Sequence, residues 1–173
     1  MSATTAAPMP SMRDDANAKA LAGLRLAVGC LFLIFGEYKV FGTQFTSHGG
    51  FQFWIHRFLT DGAYPFMMPV LRGFVLPHAT AIAFLVAYGE LAIGLALVLG
   101  IMVRAASACG VVYMLMLLFS SNYPGPDPAF WMYFGASLEH SVLALCFLAF
   151  VFGDASEAWS VARYVRPVRR SAH

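Results

Sequence analysis

Charge is scarce in this chain. Of its 173 residues only 12% are charged and 60% are hydrophobic, where soluble domains carry about 25% and about 45–50%. So few charges could not cover so much apolar surface in water, which excludes an ordinary soluble domain and points to lipid. The net charge of +2 is small, and the basic residues are not clustered among surface aromatics, so nucleic acid is excluded as a partner. Cysteine is sparse too: Cys30, Cys109 and Cys146 lie in apolar stretches without any CxxC, and they read as small buried hydrophobes rather than a redox pair or disulfide. The first 18 residues contain no apolar run of signal-peptide type and read as a disordered cytoplasmic tail.

Cofactor motifs are missing as well. A di-iron bundle needs Glu-x-x-His on two helices, and no ExxH exists here. A bundle haem could use two facing histidines at equal depth, whereas His140 lies a turn or two deeper than His78. Nothing resembles a zinc signature, a phosphate loop or a nucleophile elbow. No bound metal or haem is therefore expected.

Long apolar runs are what the chain does have. A helix rises about 1.5 Å per residue, so about 20 residues span a hydrocarbon core about 30 Å thick. Four runs qualify, over residues 20–41, 79–103, 105–121 and 134–152. The second and third are nearly continuous, and as one helix would be about twice the membrane thickness. Gly100–Arg104, a breaker followed by a cation, is where the chain must turn back. The expected fold is all-α: an integral membrane four-helix bundle over residues 19–153. Residues 1–18 and the basic stretch 154–173 are tails.

Basic residues set the orientation. Arg13, Lys19, Arg25, Arg104, Arg163, Arg166, Arg169 and Arg170 fall on one side, leaving Lys39, Arg57 and Arg72 on the other. Eight of eleven vote for both ends in the cytoplasm, in a multi-pass protein of a prokaryotic inner membrane. Residues 42–78 then form a long outer loop. Its Phe51, Phe53, Trp54, Ile55, Phe58 and Leu59 predict a short interfacial amphipathic helix. Tyr123, Trp131 and Tyr133 fit an aromatic belt on the same side. The 163–170 run suits anionic headgroups.

An ionisable residue inside a membrane costs about 2.5–3.5 kcal/mol and needs a partner or a function. Glu90 lies roughly 16 Å into its helix, counting from Ala79 at about 1.5 Å per residue. Ala83, Ala87 and Gly94 share its face, so it should point into the bundle. It is either a structural pair for a cation or a carboxylate that handles protons or contacts a ligand. On the first helix Arg25, Gly29, Phe32, Gly36 and Lys39 follow one another at i, i+4, i+7, i+11 and i+14, all on one face. Arg25 and Lys39 near its ends fit interfacial anchors that snorkel. Glu37, Lys39, His78, Glu139 and His140 lie toward the outer side with Glu90 beneath, predicting a polar funnel that opens outward.

Leu24–Leu26, Gly29, Phe32, Gly36 and Lys39 resemble the opening signature of DoxX/DoxD-like membrane proteins. Gly89–Leu91, Gly94, Leu99, Gly100 and Arg104 are similar to that family's second-helix pattern. Pro126–Asp127, Phe130–Trp131, Tyr133–Gly135 and Leu138–His140 look like its third-loop and fourth-helix region, so the likeness runs over about residues 20–153. The resemblance implies a four-helix prokaryotic membrane protein. Its relatives include the small membrane subunit of thiosulfate:quinone oxidoreductase and partners in other redox complexes.

Two readings follow. In the first, the chain is a subunit of a quinone-linked oxidoreductase, with quinone as a diffusible co-substrate and electrons coming from a substrate or a second redox subunit. Glu90, His140 and Glu139 then exchange protons. Arg25, Lys39, Glu37, Phe32, Tyr88 and His78 surround the quinone. In the second, the chain is a non-enzymatic scaffold that anchors a soluble redox partner through its outer loop or basic tail, and Glu90 is a structural pair. A transporter built from four helices without a repeat would need a homo-oligomer.

Overall fold

The structure is a computed structural model and describes residues 12–156 and 158–161. Its elements are α1 (Met12–Phe41), α2 (Gly50–Asp61), α3 (Met68–Val70) running into a π-helical turn (Leu71–Val75), α4 (Ala79–Leu99), α5 (Val103–Ser120), α6 (Met132–Gly135) and α7 (Leu138–Phe152). There is no strand among the described residues. Three helices are long and apolar enough to cross a membrane: α1 over Asp15–Phe41, α4 and α5.

Several boundaries differ from the sequence expectation, each for a local reason. α1 begins at Met12, inside the expected tail, where an i,i+4 pair of Asp15 and Lys19 at 2.6 Å supports the exposed first turns; residues 1–11 lie outside the described residues. α4 stops at Leu99 because Gly100 takes φ +70°, a left-handed cap that glycine adopts without steric cost. Met102 follows at φ +49° and α5 starts at Val103, so the turn falls inside the predicted Gly100–Arg104 stretch. The fourth apolar run is split at Ala136–Ser137, leaving α7 with 15 residues, about 22 Å of helix.

Two helix pairs carry the fold, α1 on α4 and α5 on α7. Glycine sets the first pair. A Cβ on Gly36 would stand 2.7 Å from the Leu91 nitrogen, and one on Gly94 would stand 2.7 Å from the Leu33 nitrogen. The two backbones therefore approach as only Cβ-free positions allow. In the second pair the Phe147 ring occupies the space a Gly110 side chain would fill. Phe32, Leu97, Met114 and Phe147 belong to the core shared by all four helices.

A second cluster covers the N-terminal end of α4. There α2, buried through Phe51 and Ile55, packs with Tyr64, Leu71 and Val75 on Ala79 and Ala83. The short amphipathic helix expected within the 42–78 segment is α2, and it contributes core through Phe51 and Ile55; residues 68–75 add helical turns that were not expected. At the opposite end the expected C-terminal tail folds back. Ala155, Ala158 and Ser160 are buried, the Ser160 hydroxyl donates to the Gly100 carbonyl at 2.7 Å, and the Val161 N–H donates to the Leu99 carbonyl at 2.9 Å. The basic 163–170 run lies outside the described residues. All three cysteines are free, and Cys30 and Cys109 are exposed on helix surfaces rather than buried.

Candidate functional site

The predicted faces of α1 and α4 meet. Because Gly36 brings α1 against Leu91, Lys39, just under one turn further on, reaches the carboxyl of Glu90, the residue before Leu91. Lys39 Nζ donates to Glu90 Oε1 at 2.5 Å, and the Tyr113 hydroxyl, from the middle of α5, donates to the same oxygen. Glu90 is only 5% exposed, and its other oxygen, Oε2, is buried and has no hydrogen-bond partner among the described residues. Lys39 Nζ also lies 5.1 Å from the centroid of the Phe45 ring, a cation–π distance. The Phe32 ring stands edge-on to Tyr113 and Phe147.

Attraction between opposite charges is strong in such a medium, but desolvation of both groups offsets much of it. The pair is more decisive for what its loss would leave: an uncompensated buried charge, which costs about 3–5 kcal/mol. Chemically the centre offers an ammonium, a phenol and a carboxylate oxygen with free acceptor capacity, all between helices and beside an aromatic ring.

Arg25 does not join this centre, and it does not snorkel. It is fully buried at the far end of the same face, where Nη2 donates to the Trp159 carbonyl at 2.8 Å. Its Nη1 lies against Gly100, so close that a Cβ there would be 2.5 Å away. The guanidinium therefore lies beside the C-terminal end of α4, where the helix dipole favours a cation.

The other predicted residues are dispersed. Glu37 is exposed. His78 is exposed, with Nδ1 2.8 Å from the Phe74 carbonyl one turn earlier. Tyr88 is 55% exposed and stacks on Phe84. Glu139 is exposed and stands 3.4 Å from His140, which is partly buried. Among the described residues no hydrogen bond or ion pair joins His78, Glu139 or His140 to Glu90, so the outward polar funnel is reduced to Lys39, Glu90 and Tyr113. Sequence reasoning missed Tyr113, the one tyrosine in an otherwise charge-free run; that oddity was the available signal. It also missed the Trp159 carbonyl, which has no side-chain signature.

A comparison with curated proteins gives no match, and a comparison with solved structures gives none either. The likeness read in Pro126–His140 falls outside the region that a known family matches. That match, the DoxX family model over residues 20–123, takes in most of α1, all of α4 and α5, and the whole Lys39–Glu90–Tyr113 centre, and the chain therefore belongs to the DoxX family.

Proposed function

We propose that this DoxX-family membrane protein is a subunit of a quinone-linked oxidoreductase of the thiosulfate:quinone type. It works in a prokaryotic cytoplasmic membrane, with four helices crossing and both ends inside. α6 and α7 together make the fourth crossing; Ser121 at the end of α5 meets Ser137 at the start of α7 while Gly110 meets Phe147, an antiparallel packing that supports this. One observation carries the reading: a carboxylate at mid-helix depth, ion-paired to Lys39 and bonded to Tyr113, with one oxygen unpartnered. Reducing a quinone takes two electrons and two protons. Electrons come from a partner redox subunit; the Lys39 ammonium and the Tyr113 hydroxyl hold the protons of the centre, and the Glu90 carboxylate that accepts from both relays them toward the reacting oxygens. Phe32, buried and edge-on to both Tyr113 and Phe147, backs the phenol from the core side. Of the predicted set, Glu139, His140, His78, Tyr88, Glu37 and Arg25 stand away from this centre and have no assigned part in it.

The test is anaerobic solvent extraction of mildly solubilised protein, counting quinone plus quinol per chain. Close to one per chain is expected, and it should be lost in the Lys39→Met/Glu90→Leu double variant, which removes the charge pair as a unit. A wild-type content no higher than that of an unrelated membrane protein would overturn the reading.

A second reading, a scaffold for a soluble partner, rests on the outward side of α2, where Phe53 and Trp54 are exposed. Because α2 also buries Phe51 and Ile55, deleting it would damage the core. Phe53→Ser/Trp54→Ser is the cleaner probe: loss of a co-purifying redox protein with quinone content unchanged would favour the scaffold.

A further inference from the structure

The unpartnered oxygen of Glu90 has a chemical consequence. A carboxylate is an acceptor only. Oε1 already accepts from both Lys39 and Tyr113, while Oε2 is buried and accepts from nothing. The ammonium has the Phe45 ring as its second neighbour. An unmade hydrogen bond at a buried charged oxygen is costly, so the site gains most from a ligand that brings an O–H or N–H to Oε2. A quinone carbonyl cannot do this: it is itself an acceptor, and its lone pairs would face those of the carboxylate. A quinol can, through its phenolic hydroxyl.

We propose that the Lys39–Glu90–Tyr113 centre recognises the reduced, hydroxyl-bearing form of its lipid-soluble ligand, with Glu90 Oε2 accepting a hydrogen bond from the quinol. This rests on the quinone-linked reading and adds to it the redox state that the site selects. A donor-less ether of the same ring gains nothing at Oε2. Replacing Glu90 by Gln places an amide N–H₂ where Oε2 stood, once the amide oxygen takes over the bonds from Lys39 and Tyr113. The preference should then turn toward the acceptor-bearing quinone.

The experiment uses the full chain in lipid nanodiscs, without oxygen, with empty nanodiscs correcting for partition into lipid. The probes are tetramethyl-1,4-benzoquinone, whose filled ring positions prevent addition to the exposed Cys30 and Cys109, its hydroquinone and the dimethyl ether of that hydroquinone. Binding is read by calorimetric titration. The hydroquinone should bind wild-type protein roughly tenfold or more tighter than the quinone or the ether, the ratio expected for one hydrogen bond to a charged acceptor. Glu90→Gln should lower or invert that ratio. Should the variant not fold, the three-ligand comparison on wild type decides alone. Equal binding of hydroquinone and quinone, or tighter binding of quinone, would overturn the inference and leave the quinone-linked reading standing. Binding of none of the three above empty nanodiscs would overturn both.

Discussion

Two cations, Arg25 fully buried and Lys39 partly buried, stand on one face of α1, 14 residues and so about 21 Å apart, and they are stabilised by different means. Lys39 has a side-chain partner of opposite charge, a phenol sharing the same oxygen, and an aromatic ring beneath it. Arg25 has a backbone carbonyl and the end of a helix. Chain geometry accounts for the difference. Lys39 lies level with the middle of α4, where every backbone carbonyl is engaged in the helix, so only a side chain can answer its charge. Arg25 lies level with the end of α4, where the dipole is negative and the segment that folds back over the helix end presents the Trp159 carbonyl. One helix face thus holds two centres with unmade hydrogen bonds among the described residues, an acceptor oxygen at Glu90 and the donors Nε and Nη1 at Arg25, and only the first has a counter-charge.

The comparison breaks most sharply at Glu90. Glu90→Ala strands the Lys39 ammonium and should lower stability by about 3–5 kcal/mol. Lys39→Met/Glu90→Leu, with both charges gone, should cost clearly less. Denaturant unfolding in mild detergent tests this, and a double variant as unstable as Glu90→Ala would mean the pair is not a unit.

Arg25→Met strands no opposite charge. It gives up one charge-assisted hydrogen bond and should cost about 1.5–3 kcal/mol. The loss should be local. Residues 153–161 should become sensitive to protease while the Lys39 end, read by ligand binding, is unchanged. Equal protease resistance would show that Ser160 and Val161 hold this segment without Arg25.

The smallest effect sharpens the contrast with a neutral donor. Tyr64, buried in the layer over α4, donates its hydroxyl to the Tyr133 carbonyl at 2.6 Å, the same backbone device that Arg25 uses. Burial pushes its pKa upward, with smaller contributions from Tyr133 and Tyr123. The folded state therefore holds the phenolic proton more tightly than the unfolded chain does. Its contribution, about 1 kcal/mol, is complete below the ordinary tyrosine value of about 10 and is lost as pH rises beyond it. Tyr64→Phe should flatten the fall in thermal stability as pH rises above about 10; an unchanged slope would place the titration elsewhere.

Much of this molecule was legible along the chain. The apolar runs exist because about 20 residues cross a bilayer whatever surrounds them, and α1, α4 and α5 follow those runs. The 3.6-residue period put Gly29, Gly36 and Lys39 on one face and Ala87, Glu90 and Gly94 on another, and those faces meet. The break at Gly100 follows from one residue's freedom at positive φ. Such properties are local, and local properties are written in sequence.

Which distant groups share a contact is a different matter. Glu139 and His140 lie on the helix that packs on α5, yet no polar contact joins them to Glu90, because a helix face is chosen by every side chain packed along it. Tyr113 reaches Glu90 only because the α5 and α4 axes bring two residues 23 positions apart to one oxygen. The fate of Arg25 turned on a backbone carbonyl 134 residues away, a group that every residue possesses and no residue advertises. Composition and periodicity dictate that this chain places a few charges in an apolar, helical setting. Which charge received a carboxylate and which a carbonyl was settled by packing, because desolvated groups take whatever partner it brings within about 3 Å.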